Sequence, residues 1–230
     1  MAGESALEYF RAVRKSRRRW LAGATVLAST GVASVALSGP LWLTVAAAVG
    51  AVLAGWSAAS GERRDSDRWR RGAEGERATA AVLDALASRR WAVWHDLRVP
   101  GSRANLDHVV VGRTGVWVVD TKSTRATVRA GRRSVRFGDR RLDTAATAWE
   151  AEVVRERLEQ ALGWTVPVRG VIAVHGDGLR RRGVPVGGVR VVPATALTDR
   201  LTRGRRRIAR RDLRGVTEAM SASFEPAVSR

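Results

Sequence analysis

A stretch of 41 residues without any charged or histidine side chain, from Trp20 to Ser60, constrains this chain more than any other feature. A helix that crosses a membrane needs about 20 apolar residues, so the stretch is long enough for two spans. Gly39-Pro40 divides it, because proline and glycine interrupt a helix. The sequence therefore predicts a transmembrane helical hairpin over residues 20–60, with spans at Trp20–Ser38 and Leu41–Ala59.

Basic segments flank this stretch on both sides. The first 19 residues carry six basic and two acidic side chains, and residues 61–71 carry five arginines and three acids. Because positively charged flanks stay on the cytoplasmic side, we expect a two-pass protein of the inner membrane with both termini in the cytoplasm. The alternative is a twin-arginine export signal at Ser16–Leu21. The doubled apolar stretch and the second basic flank favour the anchor.

The composition of the chain narrows the chemistry that it can perform. There is no cysteine, which excludes disulfides, zinc–thiolate sites and thiol nucleophiles. The 41 basic residues outnumber the 22 acidic ones and give a formal net charge of +19, which favours an anionic partner such as nucleic acid or a lipid surface. Only Lys15 and Lys122 are lysines, so a lysine at position 122 stands out where the chain otherwise uses arginine.

Residues 72–230, after a basic linker at 61–71, are sufficient for one domain with its own core. Hydrophobic periodicity predicts helices over Gly75–Arg90 and Ala145–Leu162 and mostly helical structure from Ala196 to Met220. β-Branched and alternating runs predict strands over Trp91–Val99, Asn105–Val111, Gly115–Lys122, Ala126–Ala130, Arg133–Phe137, Val168–Val174 and Gly188–Val192. This mixture indicates an α/β or α+β fold.

Two of the predicted strands form a hairpin that carries opposed acids. When the chain folds symmetrically about Arg113-Thr114, Asp107 lies directly opposite Asp120, and Lys122 lies two residues further on the same face. Like charges at opposed positions destabilise a sheet. A bound cation or a shared proton relieves the repulsion, so the hairpin is a candidate metal site.

Glu76, on the preceding predicted helix, is a candidate third oxygen ligand. An oxygen-only ligand set suits Mg²⁺ or Mn²⁺, which activates a water molecule and stabilises charge on a phosphoryl oxygen. Lys122 would orient or charge-stabilise the attacking group. The alternative is a plain hairpin with a solvated Asp120–Lys122 ion pair. His108 should point to the opposite face as a buried core residue, and neither His95 nor His175 receives a role.

The same residues resemble a known family. Gly75-Glu76, Asn105–Gly112 and Gly115–Lys122 are similar to the nuclease-related domain (NERD), a family assigned to the PD-(D/E)xK nuclease superfamily. The resemblance covers about residues 71–198. It implies an α/β fold with a restriction-endonuclease-like mixed sheet flanked by helices, and metal-dependent cleavage of phosphodiester bonds.

The resemblance also implies a role for each matching residue. Asp107 matches the first metal-binding carboxylate, Asp120 the second acid, Lys122 the motif lysine and Glu76 the acid on the first helix. The glutamine that the family often carries on the following helix has no counterpart in Thr147–Glu150.

Arginines cluster directly after this hairpin and would attract a phosphate backbone without sequence specificity. They are Arg132, Arg133, Arg136, Arg140 and Arg141. The sequence therefore predicts a membrane-anchored, Mg²⁺- or Mn²⁺-dependent nuclease that acts on DNA or RNA at the cytoplasmic face. The alternative is a catalytically inactive nucleic-acid-binding or scaffold protein that keeps the fold.

Overall fold

A computed structural model describes residues 41–88 and 90–227 of the chain. The first predicted span, Trp20–Ser38, lies outside these residues. The chain divides into two compact units, with the boundary between Arg70 and Arg71. Each unit is described by itself below.

The first helix, α1, runs over Leu41–Asp84. It includes the second predicted span, Leu41–Ala59, and most of the predicted helix Gly75–Arg90. Several apolar side chains in its first half are exposed: Val45, Val49, Val52, Leu53 and Trp56. Among the described residues, no helix combines the length and the apolar composition that crossing a membrane requires.

The second unit is built on a six-stranded mixed sheet with helices on both sides, which confirms the predicted α/β class. In chain order the strands are β1 (Trp91–Arg98), β2 (Asn105–Gly112), β3 (Gly115–Ser123), β4 (Val128–Ala130), β5 (Val135–Phe137), β6 (Arg140–Arg141), β7 (Val168–His175), β8 (Val184–Val186) and β9 (Val189–Pro193). The large sheet has the order β1-β2-β3-β7-β9-β8, and β4-β5-β6 form a separate small sheet. In the large sheet β3, β7 and β9 are parallel and the other pairs are antiparallel.

Three further helices follow: α2 (Ala145–Leu162), α3 (Leu197–Thr202) and α4 (Leu213–Ser223). The bounds of α2 agree with the prediction. It connects β3 to the parallel strand β7, the usual role of a helix between parallel strands. The predicted helical tail is interrupted between α3 and α4. Strand β8 was not predicted, because it has only three residues and lies between two glycines with positive φ, Gly183 and Gly187.

Side chains of β3 alternate between two cores. Val116 and Val118 pack in a core with Val154 and Leu158 of α2 and with residues of α4. Trp117 and Val119 pack on the other face in a core with residues of α1 and α3. This alternation decides which helix each functional side chain of β3 can meet.

Candidate active site

The hairpin of β2 and β3 has the predicted register. His108 pairs with Val119 and, at the turn, Gly112 pairs with Gly115. One further step in this register places Asp107 opposite Asp120. The backbone N–H of Thr121 donates a hydrogen bond to Oδ2 of Asp107 at 3.1 Å, so the Asp107 carboxylate reaches across to β3.

The carboxylate of Asp120 is held by two donors. Lys122 Nζ donates to Oδ1 at 2.6 Å, and Thr147 Oγ1, on α2, donates to Oδ2 at 2.9 Å. The Asp120 side chain is only 10% exposed, whereas that of Lys122 is 44% exposed. The Asp120 end of the ion pair is therefore buried, whereas its Lys122 end is open to solvent. A carboxylate oxygen has two lone pairs, so each oxygen of Asp120 can accept a further ligand.

Helix α1 approaches the end of β3 closely, and a glycine permits this approach. A Cβ on Gly75 would overlap the side chain of Ser123. The contact places Glu76 near the site from the face of Trp117, while Asp120 points towards α2. Burial raises the pKa of Glu76, and Asp96 and Asp120 raise it further against the opposing effect of Lys122.

No group of three or more metal-ligating acidic or histidine side chains is assembled anywhere in the described part of the chain. Glu76 therefore stays a predicted ligand: its charge acts on Asp107 and Lys122, but the three carboxylates do not form a compact cluster.

Asp107 is the most strongly perturbed acid of the site. Burial raises its pKa well above the ordinary value, and the charges of Asp120 and Glu76 add to this effect. The Thr121 N–H and Lys122 lower the pKa, but by less. Burial and repulsion between these carboxylates therefore destabilise their charged forms, and a bound cation would offset this destabilisation.

Lys122 has the opposite tendency. Burial lowers its pKa, but the charge of Asp120 and the hydrogen bond to Asp120 outweigh burial, so that the pKa is raised. The ammonium is therefore protonated at neutral pH. In this state it can stabilise negative charge or donate a hydrogen bond, and it cannot act as a base.

Two residues of α2 belong to the site and were not predicted. Thr147 binds Asp120, and Glu150 lies one turn further along the helix. Burial and the charge of Asp120 raise the pKa of Glu150 to about 7, against the effect of Lys122. The helical spacing of the buried residues Thr147, Ala151, Val154 and Leu158 was the signal that could have placed this end of α2 over the sheet.

Asp96 on β1 is a further acid that the sequence pattern did not reveal. Its φ of 50° is in the left-handed region, which aspartate tolerates better than most residues. It lies between the pairs His95–His108 and Leu97–Leu106, hence opposite Asp107. Its Oδ1 accepts a hydrogen bond from Asn105 Nδ2 at 3.1 Å, and its charge raises the pKa of Glu76.

All of these side chains lie in the part of the chain that a family model recognises. The model of the nuclease-related domain matches residues 71–175. The resemblance to this family is confirmed. No curated protein and no solved structure matches the chain. The family match suggests a nuclease-like domain that interacts with nucleic acid.

The histidines of the matched segment lie on the other face of the sheet. His108 is buried, as predicted, and its pKa is lowered to about 3 by burial and by the neighbouring His95. The two Nδ1 atoms are 2.8 Å apart, and His95 Nε2 is 2.9 Å from Asp84 Oδ1. His175 Nε2 is 2.8 Å from Thr79 Oγ1. Two of these contacts join the strands to α1, and none of the three involves Asp107 or Asp120.

The small sheet β4-β5-β6 carries arginines in one cross-strand row. Arg129 of β4 pairs with Arg136 of β5, which pairs with Arg141 of β6, and all three are exposed. Arg136 also donates to the backbone oxygen of Asp139. Directly opposed like charges destabilise a sheet, so the row favours an anionic partner. Of the predicted basic residues, Arg136 and Arg141 belong to this row, and Arg129 was missed.

This arginine row adjoins the edge of the large sheet that carries the acids. The backbone N–H of Thr124 donates to the carbonyl of His175 at 2.9 Å, and that of Val128 donates to Asp177 at 2.8 Å. The small sheet therefore begins where β3 and β7 end, next to Lys122. Arg132 and Arg133 lie in the turn between β4 and β5, and Arg140 begins β6.

Proposed function

We propose that this chain is a membrane-anchored, Mg²⁺- or Mn²⁺-dependent nuclease that cleaves phosphodiester bonds of DNA, or of RNA, at the cytoplasmic face. One observation carries the proposal. In the segment that matches the nuclease-related domain, Asp107 and Asp120 lie opposite each other beside the protonated Lys122.

The donor chemistry of this site fits a hard divalent cation. Asp107 and Asp120 would hold the ion, with Glu76 as a predicted further ligand, because carboxylate oxygens are the ligands that Mg²⁺ and Mn²⁺ prefer. The raised pKa of Asp107 supports this assignment, since a cation relieves the repulsion that raises it. When bound, the ion would supply charge stabilisation at the phosphoryl group and an activated water.

The residues of the chain have separate tasks in this proposal. Lys122 donates a charged hydrogen bond to a phosphoryl oxygen, which a permanently protonated and partly exposed ammonium can do. Thr147 fixes the orientation of Asp120. Glu150, whose pKa is about 7, can take up and release a proton near neutral pH.

Nucleic acid would reach this site along the arginine row Arg129–Arg136–Arg141. Guanidinium groups bind phosphates without reading bases, so the binding should be independent of sequence. Replacing all three by glutamine should reduce the dependence of log affinity on log salt concentration by about 2–3, since each phosphate contact contributes about 0.7–0.9. Binding of a labelled oligonucleotide in EDTA at several salt concentrations measures this slope. An unchanged slope would contradict the assignment of the row.

Cleavage of supercoiled plasmid by the full chain in detergent tests the nuclease proposal. With Mg²⁺ or Mn²⁺ we expect cleavage by the parent, no detectable cleavage by Asp120→Ala, and about 10²–10³-fold slower cleavage by Lys122→Ala. Arg157→Gln, an exposed substitution on α2, is the matched control and should cleave like the parent. The proposed site is wrong if Asp120→Ala and Lys122→Ala also cleave at the parental rate.

The second candidate function, a nucleic-acid-binding scaffold without turnover, is favoured by one observation. The described residues do not assemble three metal-ligating side chains. If the parent binds oligonucleotide but cuts neither DNA nor RNA with Mg²⁺ or Mn²⁺, this candidate replaces the nuclease.

The membrane anchor is proposed from the uncharged stretch between Trp20 and Ser60 and its basic flanks. The exposed apolar side chains in the first half of α1, among them Val49 and Trp56, support it. Membrane fractionation and a reporter fused after Arg230 test the anchor and its topology. We expect carbonate-resistant membrane association and a reporter that is active in the cytoplasm. A soluble chain, or a reporter active only outside the cytoplasm, contradicts this part of the proposal.

A further inference from the structure

The first half of β3, away from the acids, carries two guanidinium groups on one indole ring. The Arg169 Cζ atom lies 4.9 Å from the centre of the Trp117 ring, and the Arg200 Cζ atom lies 5.3 Å from it. Trp117 is buried, whereas both arginines are partly exposed. The three side chains lie on the face of β3 opposite to Asp120.

The backbone fixes this arrangement. Trp117 and Arg169 are neighbours in the parallel pairing of β3 with β7. Trp117 Nε1 donates to Thr114 Oγ1 at 3.0 Å, and Thr114 Oγ1 donates to the Leu201 carbonyl at 2.6 Å. These bonds tie α3 to the ring and place Arg200, which precedes Leu201, over it. Strand pairing and these two hydrogen bonds therefore hold both guanidinium groups against the same indole ring.

No carboxylate neutralises the two guanidinium groups within the described residues. Neither arginine forms an ion pair there, and Arg169 Nη2 and Arg200 Nε are buried without a hydrogen-bond partner. Burial lowers the pKa of Arg200, and Arg190 and Arg169 lower it further. Burial and Arg207 lower the pKa of Arg169. Cation–π contact offsets only part of such repulsion.

Arg200 also lines a groove of about 480 Å³ that is strongly basic. Its only acidic lining residue is Asp199, whose carboxylate lies 2.7 Å from Arg181 Nη2 and 3.4 Å from Arg203 Nη2. The other lining side chains are Arg182, Arg190 and Ala196. The volume is that of a small-molecule site, and the charge selects an anion.

We propose that Arg169 and Arg200, held on Trp117, bind a phosphate group beside the groove that Arg200 lines. Guanidinium groups match phosphate oxygens with paired N–H donors, and a doubly charged anion supplies both the missing acceptors and the missing charge. The site is separate from the carboxylate site. It does not depend on the proposed nuclease activity, because it uses different residues on the other face of the sheet.

Binding of pyrophosphate to the full chain in detergent and EDTA, at constant ionic strength, tests the site. Isothermal titration and thermal unfolding both report it, since a ligand of the native state raises the melting temperature. We expect saturable stabilisation of the parent. Arg169→Gln and Arg200→Gln should each weaken pyrophosphate binding by about tenfold or more. Arg157→Gln should bind like the parent.

Two more variants keep this test decisive. Arg200→Lys keeps the charge but loses the paired donors, so it should also bind more weakly than the parent. Asp120→Ala should bind pyrophosphate like the parent even if it abolishes cleavage. Without added pyrophosphate, Arg169→Gln and Arg200→Gln should each have a melting temperature no lower than that of the parent, because each substitution removes the repulsion between the two arginines. The proposal is overturned if the parent does not bind pyrophosphate. It is also overturned if Arg157→Gln weakens pyrophosphate binding as much as Arg169→Gln and Arg200→Gln do.

A labelled single-stranded oligonucleotide identifies the source of the phosphate. If pyrophosphate competes with it and the Arg169→Gln and Arg200→Gln variants also bind it more weakly, the phosphate belongs to a nucleic-acid backbone. If its binding is unchanged in the variants that lose pyrophosphate, the site takes a small phosphorylated ligand. Both outcomes support a phosphate site.

Discussion

The two ends of β3 hold opposite excesses of charge on opposite faces. At the carboxyl end, Asp107 and Asp120 are held close together beside one ammonium, Lys122. Nearer the amino end, Arg169 and Arg200 share the ring of Trp117. Trp117 and Asp120 are three residues apart, which is about 10 Å along a strand.

The difference between these ends lies in what surrounds each charge. Asp120 has two donors, and the Asp107 carboxylate accepts the Thr121 N–H, so the acids are oriented for a further partner. The arginines have buried nitrogens without acceptors, so they are positioned by the ring and by strand pairing. At both ends the fold brings like charges together and a counterion would stabilise it. A cation would stabilise the acids, and an anion would stabilise the arginines.

The largest expected effect is that of Asp107→Asn at the acidic end. Cleavage should fall below detection, because an oxygen of the proposed metal site is lost. Since the folded-state pKa of Asp107 is raised, its charged form destabilises the fold, and this cost appears as pH rises through that pKa. The variant should therefore melt higher than the parent at pH 8 in EDTA, and the difference should shrink in acid. Mg²⁺ should stabilise only the parent. A lower melting temperature at pH 8 would contradict this account.

Trp117→Leu tests the basic end. Trp117 is 2% exposed, so we expect its truncation to lower the free energy of unfolding by about 3 kcal/mol. Well below the melting temperature, plasmid cleavage should persist, because the ring does not contact the acids. Urea unfolding and the plasmid assay measure the two effects. Loss of cleavage in a variant that is still folded would show that the two ends are coupled.

The pH dependence of the stability of Glu150→Gln tests whether Glu150 is buried beside Asp120 at the acidic end. The pKa of Glu150 rises from 4.5 to about 7, so its contribution to stability is lost as pH increases through this interval. The variant should gain about 3 kcal/mol over the parent at pH 8 and almost nothing at pH 4. Chemical unfolding at both pH values measures the gain, with Glu156→Gln on the exposed side of α2 as control. Equal gains in the two variants would refute the assignment.

A matched pair of threonine substitutions gives the smallest effects. Thr147→Val removes the donor to Asp120, and Thr114→Val removes the bond to Leu201 together with the acceptor of Trp117 Nε1. Each should cost about 1 kcal/mol of stability. Only Thr147→Val should also slow cleavage, by about 10–100-fold, because Thr147 orients a carboxylate of the proposed metal site. Equal slowing by both would show that cleavage follows stability alone.

Much of the fold could be predicted because it depends on local pattern. The periodicity of Ala145–Leu162 and the β-branched runs around Gly112–Gly115 specify a helix and a hairpin before any tertiary contact forms. The three-residue strand Val184–Val186 could not be predicted, because pairing with β9 decides it. The same holds for Asp96, whose left-handed backbone no hydrophobic pattern indicates.

The sequence by itself determined the opposition of Asp107 and Asp120, because a symmetric turn and the two-residue period of a strand fix which side chains face each other. It also determined the uncharged stretch on which the predicted anchor rests. Only the tertiary structure decided that Thr147 binds Asp120, that Glu150 lies near it, and that Arg169 and Arg200 meet on Trp117. These contacts join residues 27 to 83 positions apart in the chain, and only the packing of helices against the sheet brings them together.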